Sequence, residues 1–165
     1  MQLWAHILLY NLILSVYLYA SLAIDPRMWL HRMPPEVRAK VPPKTEAERK
    51  RLIPLGVPFL ILMIGYPVWY TAARAVSSAN LTGGPAGYFH ITGLLFLFFL
   101  SFDLWDTLVL DLLIFCGITP QFIIIEGSNR GDYKNVRYHL KSGAKGLIFL
   151  TAGALILGGA LFLGF

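Results

Sequence analysis

Residues 102–111 read FDLWDTLVLD, between GLLFLFFLS (93–101) and LLIFCGI (112–118). Three of the chain's nine acidic residues, Asp103, Asp106 and Asp111, therefore stand in one of its most apolar stretches. Two readings compete. If SFDLWD is a turn between two short spans, the carboxylates are in water. If the stretch is helix, they lie inside a membrane. No Gly, Pro or Asn between Leu94 and Cys116 supplies a turn. The arm before such a turn would also be too short to cross a bilayer. The sequence thus predicts one long helix ending at Gly117, with Thr119-Pro120 as its stop.

The rest of the chain agrees. Of its 165 residues, 14% are charged and 56% apolar, whereas a soluble domain carries about 25% charged residues. Apolar runs predict four spans, at about 3–24, 52–73, 89–116 and 146–165. Ser21-Leu22-Ala23 resembles a cleavage site, but no Lys or Arg precedes the first run, so it reads as a true span. The expected fold class is all-α: a single integral membrane domain, 1–165, built as a four-helix transmembrane bundle with short cytoplasmic interfacial helices. The lone Cys116 allows no intrachain disulfide and reads as a small apolar filler.

Charge sets the expected orientation. The first connection, 25–51, holds eight Lys or Arg; the second holds only Arg74; the third, 117–145, holds five. The positive-inside rule puts both basic connections in the cytoplasm and both termini outside. The net charge of +5 then calls for anionic lipids rather than nucleic acid.

At about 100° per residue, Asp103, Thr107 and Asp111 follow one slowly drifting helix face, with Asp106 flanking it. Each Asp near a span centre costs roughly 2.5–3.5 kcal/mol, and each Leu, Ile, Phe or Val returns only about 0.3–0.6. This face should meet other helices or a wet cavity, not lipid. Depth matching nominates Asn11, Ser15 and Tyr66 as supporting groups for Asp103 and Asp106. Tyr17, Tyr19 and Thr151 are level with Asp111. No Lys or Arg is expected at that depth, which favours shared protons or a bound cation.

The connections suggest structure of their own. Pro35 at a helix start and a Thr45–Glu48 capping box predict two short helices separated by Pro42-Pro43, with Trp29, Leu30 and Met33 at the interface. Tyr133, Val136 and Leu140 share a face and predict a helix lying on the membrane surface. QFIII, residues 121–125, reads as a short extended piece tucked against the bundle base. In the last span Ala154 and Gly158, beside Gly153 and Gly159, allow close helix packing, within the bundle or in a homo-oligomer.

Catalytic motifs are sparse. There is no phosphate-cradling Gly loop and no GxSxG. Asp103-x-x-Asp106 has the spacing of Mg²⁺-holding carboxylates, without a second acidic cluster on another helix. His6 and His90 fall near the outer rim, where paired histidines can ligate haem or a divalent metal; their spacing adds no support, and no cofactor is expected. His31 and His139 fall on the cytoplasmic side. Asn80 opens an NLT glycosylation sequon.

WDTLVLDLLIFCGITPQFIIIEG (105–127), preceded by DPRMWLHRMPPEVRAKVPPKTEAE (25–48), resembles small multi-pass membrane proteins of prokaryotes to which no activity is attached. The resemblance implies a prokaryotic inner (cytoplasmic) membrane and nothing about reaction. Three functions fit these residues. One is proton or small-cation binding at Asp103, Asp106 and Asp111. Another is a non-catalytic subunit or assembly factor whose aspartates hold a membrane partner or its own helices. The third is a lipid-modifying enzyme.

Overall fold

In a computed structural model, residues 2–77 and 84–164 are described. The Asn80 sequon lies outside them. Five α-helices follow in order: α1 Leu3–Ile24, α2 Pro35–Lys40, α3 Glu46–Ser77, α4 Gly84–Trp105 and α5 Val136–Gly164. Four helices are long and apolar enough to cross a membrane, and no strand occurs among the described residues. The central one is α4, packed against α1, α3 and α5.

Beyond Trp105, α4 continues without a break as a wider, π-type helix, Asp106–Ile118. The i→i+5 pattern persists to the end, where Thr119 N donates to Ile114 O at 2.8 Å. Thr119 takes the left-handed conformation that stops the helix, φ 48°. This is unfavourable for a β-branched residue. Its hydroxyl compensates by donating to Phe115 O at 2.8 Å. The apolar stretch containing the aspartates is therefore helix throughout, with no turn at SFDLWD.

Three prolines lie inside α3, at Pro54, Pro58 and Pro67. Each lacks an N–H and frees the carbonyl four residues earlier. For Pro67 that carbonyl is Met63 O, and Tyr10 Oη of α1 donates to it at 2.9 Å. Near Pro58, Tyr17 Oη donates to Leu55 O at 2.6 Å. The tyrosines of α1 thus repair or reinforce the backbone of a proline-bearing partner, and Tyr17 does not turn toward Asp111.

The α4–α5 seam is the tightest. Numbers fall along α5 as they rise along α4, so Thr92 meets Gly158, Asp103 meets Gly146 and Thr107 meets Gly143. A Cβ on Gly146 would stand 2.6 Å from Asp103 Oδ1. Ala154 is buried in the same seam. Gly153 faces open space, and Gly159 only approaches Tyr88. Ala154 and Gly158 therefore serve internal packing.

The two basic connections differ from their sequence reading in several places. The expected surface helix is instead the first three turns of α5, because no proline interrupts the run from Val136 to Gly164 and the glycines fit against α4. Likewise the capping-box helix is the first turn of α3: Glu48 N donates to Thr45 Oγ1 at 3.2 Å and Thr45 N to Glu48 Oε2 at 2.7 Å. QFIII is not extended throughout: Gln121–Ile123 form a 3₁₀ turn, with Ile123 fully buried. Leu30, Met33 and Tyr133 leave the expected interface and join Val37, Val41, Phe115 and Ile125 in a small core beneath the bundle. This takes their apolar surface out of contact with solvent.

Polar bonds tie this cap together. Lys40 Nζ reaches Asp132 Oδ1 at 2.7 Å, and Asn135 Nδ2 donates to Glu36 Oε1 at 2.7 Å. Arg27 pairs with Glu48. The Arg27 hydrogen bond, with help from Thr45 N–H, holds the Glu48 carboxyl down at about 2. The Lys40 bond likewise holds Asp132 below the usual carboxylate range. Tyr138 Oη donates to Arg32 O at 3.2 Å, fastening the start of α5 to the 3₁₀ segment Pro26–Arg32.

Candidate functional site

Where α1, the 3₁₀ segment, α3, the π-type helix and α5 converge, they enclose a cavity of about 280 Å³. Its acidic wall comes from Asp103, Asp106 and Asp111. Asp106 and Asp111 are five residues apart, as are Leu110 and Phe115, and all four line the cavity. In an α-helix a five-residue step turns about 140° away. The wider helix nearly closes one turn over that step, so its i→i+5 repeat keeps both carboxylates on the same wall.

The opposite wall is built by the cap. The bond between Tyr138 and Arg32 O holds neighbouring elements that deliver His139 and Arg32 to the cavity. His139 Nδ1 lies 2.9 Å from Asp111 Oδ2. The imidazole is only 3% exposed, and its Nε2 is buried with no hydrogen-bond partner. Arg32 is exposed. Tyr19 also lines the cavity, but its hydroxyl donates to Leu110 O at 3.1 Å. The remaining lining is mainly apolar and aromatic, including Trp29, Phe59, Phe102 and Phe149.

The nominated supporting groups lie elsewhere. Asn11 Nδ2 donates to Ser101 Oγ at 3.5 Å, and Ser15 Oγ accepts from Trp105 Nε1 at 3.0 Å while donating to Asn11 O. Tyr66 Oη is 2.8 Å from His6 Nδ1. None of the three lines the cavity. Asn11 and Ser15 lie beside Ser101 and Trp105 but face the flank of α4, and Tyr66 sits with His6, Tyr10 and Phe98, away from the cavity. Thr151 likewise turns inward on its own helix, donating to Leu147 O. Thr107 is buried against Gly143, so it belongs to the helix seam.

His6 also packs tilted against Tyr70, with ring centroids 4.6 Å apart, whereas His90 lies on an exposed face. No group of three or more His, Cys, Asp or Glu that could hold a metal ion occurs among the described residues.

His139 and Arg32 are the groups that sequence reasoning left out of the site. Arg32 folds back under the bundle and lines the cavity, but no Lys or Arg forms an ion pair with Asp103, Asp106 or Asp111 among the described residues. A signal for His139 existed: His139, Gly143, Gly146, Leu150, Ala154 and Gly158 recur at helical spacing. It is visible only if α5 is read as continuous through Gly143 and Gly146.

Comparison with protein-family models, with curated proteins and with solved structures finds no match.

Proposed function

We propose that the chain is a four-span integral membrane protein whose carboxylate–histidine cavity binds protons or small cations and passes them across part of the bilayer. The basic cap faces the cytoplasm and both termini face outward. The charge asymmetry of the connections supports that orientation. The resemblance to prokaryotic multi-pass proteins supports a cytoplasmic membrane. Anionic lipids at the inner leaflet are the natural neighbours of the cap's free Lys and Arg.

The observation that carries the proposal is the Asp111–His139 pair at 2.9 Å, with Asp106 one wide helical turn away in the same cavity. Ionisable groups at membrane depth are costly and characteristically face interiors or aqueous paths where they bind ions or relay protons. Imidazole and carboxylate exchange a proton readily at hydrogen-bond distance. Asp106 is the primary acceptor, Asp111 with His139 forms the relay, and Arg32 balances charge at the rim.

The test uses proteoliposomes loaded with a pH-sensitive dye under an imposed potassium diffusion potential. Flux should exceed the empty-liposome rate and fall at least tenfold in Asp106→Asn and Asp111→Asn. Flux at the empty-liposome rate from folded protein overturns the proposal.

A second reading, a non-catalytic subunit held together by its polar seam, draws on the contacts of Asp103 with Gly146 and Thr107 with Gly143. On that reading Asp103→Asn weakens helix association, or the hold on a membrane partner, and leaves flux unchanged.

A further inference from the structure

We propose that the cavity is a receptor for a protonated amine carrying an apolar, preferably aromatic, body; this rests on reading the cavity as a cation site.

Size comes first. A water molecule's share of liquid volume is about 30 Å³, and ligand pockets begin at about 300 Å³. At about 280 Å³ the cavity is far larger than a bare ion requires. Its wall is also largely apolar, which suits a hydrocarbon body and wastes the space around a hydrated ion. A divalent ion is poorly served, since no three metal-ligating side chains converge among the described residues.

Charge gives the sign. The charged groups facing the cavity are Asp103, Asp106 and Asp111 from the α4 limb, Arg32 from the 3₁₀ segment and His139 from α5. Tyr19 is the titratable group from α1, and α3 contributes only Phe59 and Met63. Three carboxylates against one guanidinium repel a phosphate or carboxylate ligand and attract a cation. Aromatic side chains in the lining, Trp29, Phe59, Phe102 and Phe115, favour an organic cation further.

The carboxylates then select among cations. A primary ammonium donates N–H bonds to carboxylate oxygens, and such charge-assisted bonds are roughly twice as strong as neutral ones. Asp103, Asp106 and Asp111 all line the cavity and can accept them. A quaternary ammonium has no N–H to donate.

The experiment is calorimetric titration of the full chain in nanodiscs, with empty nanodiscs as the reference. The probes are 2-phenylethylamine, phenyltrimethylammonium and 2-phenylethanol. The amine should bind saturably, and the other two at least tenfold more weakly. Asp106→Asn and Asp111→Asn should weaken the amine at least tenfold and narrow its advantage over the quaternary ion. Near-UV circular dichroism checks that each variant is folded; the three-probe comparison on the unmodified chain needs no variant. Equal binding of alcohol and amine, or of quaternary ion and amine, overturns the proposal. Amine binding no stronger than to empty nanodiscs also overturns it, even if the proton flux described above persists. Saturable amine binding without proton flux upholds the receptor and removes the transport reading instead.

Discussion

His139 Nδ1 and Asp111 Oδ2 lie 2.9 Å apart, although one residue begins α5 and the other lies deep in the π-type end of the α4 limb. The pair extends the same antiparallel seam that sets Thr92 against Gly158, Asp103 against Gly146 and Thr107 against Gly143. Above it, glycines make room for polar side chains. At this last step, an imidazole fills the space and bonds to the carboxylate.

Removing either partner strands the other in a poorly solvated place. Asp111→Asn and His139→Gln should each cost about 1–3 kcal/mol of stability. Their coupling in a double-mutant cycle should be on the order of 1 kcal/mol, toward the low end because membrane hydrogen bonds measure small. Unfolding in mixed micelles measures it. Additivity within about 0.3 kcal/mol would mean that the pair carries no interaction energy.

The glycines of α5 should separate into two classes. Gly158→Ala pushes a Cβ against the side chain and backbone of Thr92, an overpacked contact worth about 1–3 kcal/mol. Gly153 has nothing within 4 Å. There Ala should stabilise by up to about 1 kcal/mol, through helix propensity alone. Thermal melts of the two variants should move in opposite directions; equal shifts would contradict the seam.

Tyr10 and Pro67 should be coupled through Met63 O. Tyr10→Phe leaves that carbonyl without its donor and should cost about 1–3 kcal/mol. In a Pro67→Ala background the restored N–H can serve the carbonyl, so the same substitution should cost less. An unchanged cost in the two backgrounds would show that the hydroxyl does not serve the proline's missing bond.

The cap should loosen in acid. Glu48 ionises at about 2 in the folded protein, against an ordinary value of 4.5, because Arg27 favours the charged carboxylate. A depressed carboxylate stabilises fully above its unfolded value, and that contribution disappears as pH falls through the folded one. The loss therefore runs from about pH 4.5 down to about pH 2. Asp132, held down by Lys40, acts in the same direction. Spin labels on the Pro26–Arg32 segment and the first turn of α3, which Arg27–Glu48 joins, should separate over that window, and less so in Glu48→Gln; labels on α2 and the Arg130–Tyr133 turn should respond in the same direction, and less so in Asp132→Asn. A pH-independent distance would exclude these ion pairs as the cap's fastening.

Local features of the chain specify the helical class, the four long apolar helices, the uninterrupted helix through FDLWDTLVLD and the stop at Thr119-Pro120. Those follow from local causes: apolar run length, the absence of breakers and the cost of acids facing oil. The sequence also singled out the three aspartates. Tertiary structure alone decided their company. Depth along a span can be counted from sequence, but rotation about the axis accumulates over every turn. Asn11 and Ser15 are therefore beside Ser101 and Trp105 yet turned away from the cavity, and the wider repeat from Asp106 onward sets the acidic wall. Arg32 and His139 arrive through the folding of two connections onto each other. That pairing of segments roughly a hundred residues apart is set by the cap's shared core and ion pairs, which no local pattern encodes.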